Sequence, residues 1–212
     1  EHNEETVSHD IIELLNKQNE IVLVSDAGTP SVSDPGYYLI QQCIKEDIIF
    51  SLVPGPSSVI SALVMSGLST SSFSFLGFVP RKKSQKKEFI SFLRHEKNTI
   101  ILFESAKRIE DTLNVLREEY SLTKKIALCR EMTKIHETIE RGTIEEVSLR
   151  VKNGLVVLKG EFVIVIESSS TDKPSFILDK KVKDSFLRFL PAKDAAKLIS
   201  LLSKENKRTL SV

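Results

Sequence analysis

The stretch TIILFESAKRIEDTLNVLREEYSLTKKIALCREM (residues 99–132) decides the fold class. It opens with an apolar run at 99–105, continues with apolar residues at helical spacing over 107–120, and ends in a second apolar run at 124–132. A strand, a helix and a second strand in this order indicate an α/β layer, because each element buries its apolar side against the next. Several of these strands are predicted to be buried on both faces.

The same alternation continues on both sides of this stretch. Helices are predicted up to about residue 18 and over 36–46, 57–67, 86–97 and 143–152, and strands over 20–26, 48–53, 72–78 and 161–167. Gly67 is the predicted stop of the third of these helices. Residues 136–143 alternate and are predicted to pair antiparallel with 161–167, which makes the sheet of the second half mixed.

Three regions are predicted along the chain. Residues 1–66 would be the C-terminal part of a first α/β lobe, residues 67–170 a second α/β lobe, and residues 171–212 a small basic tail with helices at about 180–190 and 192–204. The tail has 10 basic and 5 acidic side chains over 172–212. Such an excess of positive charge favours an acidic partner such as nucleic acid, although a solvated helical surface has the same pattern.

Composition excludes several classes of protein. The chain has 212 residues, 41% of them hydrophobic, and a formal net charge of +1, so a disordered chain is excluded. No apolar run approaches the roughly 20 residues of a membrane span. Cys43 and Cys129 have no metal or redox spacing, and the histidines have no zinc spacing, so we expect no metal and a reducing, cytoplasmic compartment.

Two loops rich in glycine and proline follow predicted strands. The first, DAGTPSVSDPG (26–36), is longer than a connection requires, and the second, VPGPSS (53–58), puts Ser57 and Ser58 at a helix start. Ligands of open α/β sheets bind at the carboxyl ends of strands, where loops and helix N-termini present unpaired N–H groups. The alternatives are a long turn with Asp34 as a helix cap, and an ordinary capped helix start.

Charged residues also gather after strands. Candidates for a cleft at the strand ends are Glu104, Arg108, Arg130, Glu131 and Lys134, which alternatively form structural ion pairs. A basic segment that could neutralise phosphates, or be a solvated loop, comprises Arg81, Lys82, Lys83, Lys86 and Lys87. The phosphate-binding, dinucleotide-binding, nucleophile-elbow and zinc-protease motifs are all missing, which argues against those enzyme classes.

Read together, the loops resemble a known family. VSDAGTPSVSDPG, PGPSS, FLGFVPRK, FES..R, REMTK.HE..ERGT and KGEFVIVIE, in this order, are similar to the ribosomal RNA small-subunit methyltransferase I family, within the tetrapyrrole methylase superfamily. The resemblance covers residues 1 to about 167 closely. It implies two α/β lobes with S-adenosyl-L-methionine in the cleft between them, usually as a homodimer. It also implies 2′-O-methylation of a cytidine in small-subunit (16S) ribosomal RNA, free or in the 30S subunit.

The resemblance also implies roles for particular residues. Residues implied to bind the methyl donor are Gly28, Thr29, Val32, Ser57, Ser58, Met132, Gly160 and Glu161. The basic segment and the tail would face RNA, together with Arg130 and Lys134. A ribose hydroxyl is a poor nucleophile, so Glu104, Glu131 and Asp34 are candidate bases, Glu104 ranked first, and Arg108 is a candidate for orienting phosphate or ribose.

One departure from the family pattern is large. Members of the family begin with a strand, a glycine- and proline-containing loop and a further strand and helix, whereas this sequence starts at EHNEE, inside that pattern. Most of the first lobe is therefore expected to be absent, including a loop that contacts the donor. Two alternative functions stay open: methylation of a tetrapyrrole or diphthine-type acceptor, and a non-catalytic RNA- or ribosome-binding fragment.

Overall fold

The apolar runs predicted as strands form the centre of a mixed sheet. In this computed structural model, which describes residues 4–26, 28–168, 186–191, 193–195 and 197, the chain divides into two compact units, Glu1–Ser169 and Ser170–Val212. The strands found in the described residues are β1 (Phe73–Phe78), β2 (Thr99–Ser105), β3 (Lys125–Arg130), β4 (Thr138–Thr143) and β5 (Glu161–Ile166). Their spatial order is β1-β2-β5-β3-β4, with β1 and β2 parallel and the other neighbours antiparallel. The predicted α/β class and mixed sheet are confirmed.

The helices follow the predicted pattern with small changes of boundary. Within residues 4–168 they are α1 (Glu4–Asn16), α2 (Tyr37–Lys45), α3 (Ser58–Ser66), α4 (Lys83–Leu93), α5 (Ile109–Glu119) and α6 (Ile144–Lys152), with a 3₁₀ turn at Ala106–Arg108. Gly67 ends α3 in the left-handed conformation, as predicted, because glycine adopts a positive φ without strain. Thr143 and Glu146 form a capping box that starts α6.

The two faces of the sheet carry separate apolar clusters. Strand residues alternate between the faces, so Ile100 and Leu102 pack under α4, α5 and α6, while Ile101 and Val163 pack under α3. Helices cover both faces of the central strands β2, β5 and β3, which explains why their sequences are apolar at almost every position.

Helices α1 and α2 pack on each other through a small cluster of Ile12, Leu39 and Cys43. The Glu4 carboxylate accepts hydrogen bonds from the backbone N–H groups of Gly36 (2.8 Å) and Tyr38 (3.1 Å). These two bonds lower the pKa of Glu4 below its ordinary value. Glu4 therefore caps α2, and Asp34 does not cap that helix.

The predicted strands at 20–26 and 48–53 are wrong. Both segments lack regular structure where described, and Val22 and Ile49 are 82% and 97% exposed. A strand is stable only when a neighbour pairs with its N–H and C=O groups, and neither segment has a ladder partner among the described residues. The apolar composition of these two segments predicted buried strands. Whether such a segment is buried depends on a neighbouring strand or helix, which the local sequence pattern does not reveal.

The predicted pairing of 136–143 with 161–167 is also wrong. β4 pairs with β3, with Thr138 opposite Arg130, whereas β5 lies between β2 and β3. The composition explains the order: β5 is apolar on both faces and belongs in the centre, whereas the polar sequence TIERGT of β4 tolerates the edge of the sheet.

The predicted tail helices and the linker at 168–175 fall largely outside the described residues. Within those residues, no helix has both the length and the hydropathy needed to cross a lipid bilayer. The division of residues 1–170 into two lobes stays a prediction.

Candidate functional site

A cleft lies where the carboxyl ends of β1 and β2 meet the start of β5. Since β5 runs antiparallel to β2, with Phe162 opposite Glu104, its first residues reach the same edge of the sheet. The first glycine-proline loop and the start of α3 form the opposite wall, and the cavity volume is about 110 Å³. A cleft at the carboxyl ends of strands, lined by both apolar and polar groups, is typical of a small-molecule site.

Most residues predicted to bind the donor line this cleft: Gly28, Thr29, Val32, Ser57, Ser58, Met132 and Glu161. Gly160 is not among the lining residues. The folding of separate motifs brings them together, since Thr29 Oγ1 donates to Pro56 O (3.4 Å) and so links the two glycine-proline loops. Their role in donor binding stays a prediction.

The first loop holds strained backbone. Ser31 and Ser33 adopt positive φ angles of 65° and 62°, a conformation that costs a non-glycine residue about 1 kcal/mol or more. Gly28 is also in this region, at φ 85°, with no atom within 4 Å of the place a Cβ would occupy. Strain of this kind concentrates at ligand sites, because the binding geometry requires it.

The start of α3 is both a capped helix start and a part of the cleft wall. Ser57 is the N-cap of α3, and its Oγ accepts a hydrogen bond from Ile60 N (3.5 Å). Ser58 and Val59 follow at the cleft wall. Ser57 is therefore occupied as a cap, while Ser58 has no side-chain hydrogen bond to the described residues.

Glu104 is a buried, fully bonded carboxylate. Its Oε1 accepts from Ser105 N (2.7 Å) and pairs with Arg108 Nη2 (2.6 Å), and its Oε2 accepts from Thr112 Oγ1 (2.7 Å). The side chain is 0% exposed and shares the α5 side of β2 with Leu102, whereas Phe103 lies on the other side. Although the residue borders the cleft, this geometry favours a structural role over that of a base.

Asp34 also borders the cleft, but it differs from Glu104 in its exposure and in its bonding. It lines the cleft and is exposed, and its carboxylate makes no hydrogen bond or ion pair with the described residues. Among the three candidate bases, Asp34 is the one that both lines the cleft and has a carboxylate without a bond to the described residues.

Glu131 and Lys134 form a bonded group beside the cleft with Glu161. Glu131 Oε1 accepts from Glu161 N (2.8 Å) and from Lys134 Nζ (3.2 Å), and Lys134 Nζ also reaches Glu161 Oε2 at 2.8 Å. The Glu161 N–H, assisted by Lys134, lowers the pKa of Glu131, so this carboxylate is a weak base. The Glu161 carboxylate raises the pKa of Lys134, which keeps its positive charge at neutral pH at the cleft wall.

Gly160 supports this group from outside the cleft. It has φ +83°, and a Cβ there would overlap the Glu131 carboxylate. Its contribution is therefore to let Glu131 approach the backbone closely enough to bond Glu161 N.

Replacing Gly160 with alanine is expected to lower the free energy of unfolding by about 2–3 kcal/mol, as left-handed strain and the overlap with Glu131 add. Gly154→Ala is the matched control, since Gly154 has φ +69° and open space at the Cβ position, so only about 1 kcal/mol of strain is expected. Urea unfolding of both variants measures the difference. Equal reductions in the two variants would show that the proximity of Glu131 is unimportant.

Arg130 and Arg108 are held by backbone groups. Arg130 donates from Nε to Lys159 O (2.7 Å) and from Nη1 to His136 O (3.0 Å), which ties together the loops around the cleft. Arg108 donates to Ser105 Oγ (3.1 Å) and Val79 O (3.0 Å) in addition to its pair with Glu104. Neither guanidinium lines the cleft.

The basic segment is partly a helix. Lys86 is 1% exposed and its Nζ bonds Asp111 Oδ2 at 2.5 Å, so the prediction that it faces RNA is corrected. Lys87 stays exposed but pairs with Glu118 (3.2 Å) and Glu119 (3.7 Å). These partners lie on α5, about 25 to 32 residues away in sequence, so the basic run alone could not reveal them.

Arg81, Lys82 and Lys83 are exposed and make no side-chain bond to the described residues. They lie at the start of α4, where no side chain caps the helix. Positive charge at the positive end of a helix is unfavourable, which favours an anionic partner at this place.

Sequence reasoning missed the apolar walls of the cleft. These lining residues are Val59, Phe78, Phe103, Phe162 and Val163, with Ser33 and Thr133 as further polar members. Their positions at strand ends and at a helix start could have indicated the cleft. Apolar residues at such positions are, however, equally typical of the hydrophobic core. Among the described residues, no group of three or more His, Cys, Asp or Glu is close enough to hold a metal ion.

Comparisons with known proteins agree on the family. Residues 1–148 match the family described as Tetrapyrrole (Corrin/Porphyrin) Methylases. The chain is 47% identical over 164 residues to "Ribosomal RNA small subunit methyltransferase I" of Hydrogenobaculum sp., with 76% of this chain and 69% of the relative covered. It is 35% identical over 185 residues to the protein of the same name from Mycobacterium bovis, of which it spans 64%.

The fold is also that of solved methyltransferases. The uroporphyrin-III C-methyltransferase of Thermus thermophilus, solved in complex with S-adenyl homocysteine, superposes with a TM-score of 0.51 at 14% identity. This match covers 77% of the present chain and 73% of the solved chain. At that identity the likeness shows the fold alone.

Proposed function

Because the chain belongs to the ribosomal RNA small subunit methyltransferase I family of the tetrapyrrole methylases, we propose that it takes part in methylating the 2′-hydroxyl of a cytidine in small-subunit ribosomal RNA. The methyl donor is S-adenosyl-L-methionine, which is held in the cleft at the ends of β1 and β2. The acceptor is ribosomal RNA, free or in the 30S subunit, and the enzyme is a homodimer.

The observation that carries this proposal is the convergence of separate motifs on one cleft. Gly28 and Thr29 come from the first loop, Ser58 from the second and Met132 from the end of β3, and all of them line the same space. Its apolar wall of Val59, Phe103 and Met132 suits an adenine ring, while backbone and hydroxyl groups suit the polar parts of the donor.

Methyl transfer requires the alignment of donor and ribose hydroxyl more than any further activation of the donor. When bound, S-adenosyl-L-methionine supplies an activated methyl group, whose bond to sulfur breaks as the bond to the ribose oxygen forms. Asp34 takes the proton from the ribose hydroxyl, because its carboxylate lines the cleft and is bonded to none of the described residues, unlike those of Glu104 and Glu161. Lys134 stabilises the negative charge that develops on that oxygen, since its charge persists at neutral pH.

The exposed cations favour RNA over a tetrapyrrole or diphthine-type acceptor. Arg81, Lys82 and Lys83 lie together at the start of α4 without acidic partners among the described residues. A polyanion offers each of them a phosphate, whereas a small acceptor would leave part of this charge uncompensated.

Calorimetric titration with S-adenosyl-L-methionine tests the cleft. We expect saturable binding that Val32→Glu weakens at least tenfold, because the new carboxylate enters the cleft wall. Val157→Glu is the matched control, since Val157 is exposed and does not line the cleft. Absence of binding would overturn the donor site in this chain and leave the non-catalytic RNA-binding alternative. Transfer of labelled methyl groups to small-subunit RNA then tests the acceptor.

A further inference from the structure

A second cavity adjoins the donor cleft. Its lining includes Phe78, Pro80, Arg81, Ser105, Lys107 and Arg108, which we call the basic cavity. Phe78 borders both the basic cavity and the donor cleft, so the two spaces are neighbours. Whatever binds in the basic cavity therefore lies next to the reacting groups.

The charge of the basic cavity is unbalanced. Three cationic side chains line it and no carboxylate does. Glu104 compensates Arg108, but the side chains of Arg81 and Lys107 make no hydrogen bond or ion pair with the described residues. Like charges held close together are unfavourable unless an anion lies between them, so this arrangement is suited to an anionic group.

Arg108 is held in place before any ligand binds. Three of its five N–H groups are used, by Ser105 Oγ, Val79 O and Glu104 Oε1. One N–H remains on each terminal nitrogen, which is enough for a two-point contact to phosphate oxygens. Because the guanidinium is already fixed, such an interaction costs little side-chain entropy.

The aromatic residue at the boundary indicates the kind of anion. Phe78 is 56% exposed, and its ring packs edge-on against Phe103 with centroids 5.3 Å apart. A fixed, exposed ring beside a cluster of cations is the combination that binds single-stranded nucleic acid, where bases stack and phosphates pair with cations. A free phosphate would use the cations but leave the ring without a partner.

We propose that the basic cavity binds the backbone phosphate of a nucleotide next to the acceptor, with the RNA single-stranded at this point. The proposal rests on the proposed function, since it places an RNA acceptor at the adjacent cleft. Arg81 and Lys107 supply the mobile charges, and Arg108 supplies the fixed one. The cavity thereby sets which ribose along the strand reaches the donor.

The test uses the double variant Arg81→Gln/Lys107→Gln and its matched control Lys45→Gln/Lys152→Gln. Both remove two exposed positive charges, but Lys45 and Lys152 line neither the basic cavity nor the donor cleft and lie outside the basic segment. Fluorescence anisotropy measures the affinity for a single-stranded oligonucleotide from small-subunit RNA over a series of salt concentrations. Calorimetry measures the affinity of each protein for S-adenosyl-L-methionine.

We expect the cavity variant to bind RNA about tenfold more weakly than the control, with unchanged donor affinity. The steepness of log affinity against log salt should fall by about 0.7 for each phosphate that the protein no longer neutralises. Equal affinities and slopes in the two double variants would overturn the proposal, because the removal of general surface charge would then explain the effect.

Inorganic phosphate separates a nucleic-acid site from a site for the free ion. If phosphate binds the wild-type protein and the cavity variant no longer binds it while keeping its RNA affinity, the RNA interpretation is overturned. If the wild-type protein binds the donor but no RNA, the proposed acceptor fails and this proposal fails with it. A cavity-specific decrease in RNA affinity supports both.

Discussion

Replacing Asp34 with asparagine is expected to lower kcat for methyl transfer by about 10²–10⁴-fold, the usual contribution of a general base. Asp34 lines the cleft with a carboxylate that no described residue bonds, whereas Glu104 is enclosed and Glu131 is bonded to Glu161 N and Lys134. Asparagine keeps the size of the side chain and removes only its ability to accept a proton. The donor affinity should therefore stay unchanged.

Single-turnover methyl transfer to small-subunit RNA, with calorimetry on the donor, measures this effect. Asp10→Asn is the matched control, because Asp10 is exposed on α1 and makes no bond to the described residues. Glu104→Gln is the competing variant and is expected to keep most of its kcat. The reverse pattern, with Asp34→Asn active and Glu104→Gln inactive, would return the role of base to Glu104.

The difference between these two carboxylates shows what the sequence could and could not predict. Both follow apolar segments and both were candidates, since a charge at a strand end either faces a cleft or pairs inside. Alternation along β2 places Glu104 with Ile100 and Leu102 on the α5 side, away from Phe103. Its hydrogen-bond partner Thr112 lies on α5. Only the packing of that helix on the sheet shows that the Glu104 carboxylate is enclosed and bonded rather than open to a substrate.

The fold was predictable where each element carried its own signal. The bounds of β2 match the predicted 99–105, and α3 ends at Gly67, because apolar runs and stop residues are local features. The neighbours of each strand are not local: the polar segment 138–143 lies at the edge, and 20–26 and 48–53 lack a ladder partner in the described chain. The order of the motifs predicted many of the residues that line the cleft. The burial of Lys86 and its ion pair with Asp111 could not be predicted in this way, because they depend on how α4 packs on α5.

Replacing Glu104 with alanine is expected to lower the free energy of unfolding by about 3 kcal/mol. Removing one partner of a buried ion pair costs about 3–5 kcal/mol, and the lower end applies because the Arg108 side chain is 22% exposed and water can reach it. Thr112 Oγ1 is buried and would be left without its acceptor at the same time. Urea unfolding with an unchanged m-value is the measurement.

Glu104→Gln separates the role of charge from that of hydrogen bonding at this position. The amide oxygen still accepts from Ser105 N and Arg108, and the amide nitrogen donates to the Thr112 hydroxyl, so the decrease should be only about 1 kcal/mol. Thr112→Val, which leaves Glu104 Oε2 without a donor, should cost about 1–3 kcal/mol. If alanine and glutamine at position 104 were equally destabilising, charge rather than the bonded geometry would stabilise this end of β2. If neither reduced stability, the buried group would not hold Arg108 in place, and the fixed cation of the basic cavity would be without its support.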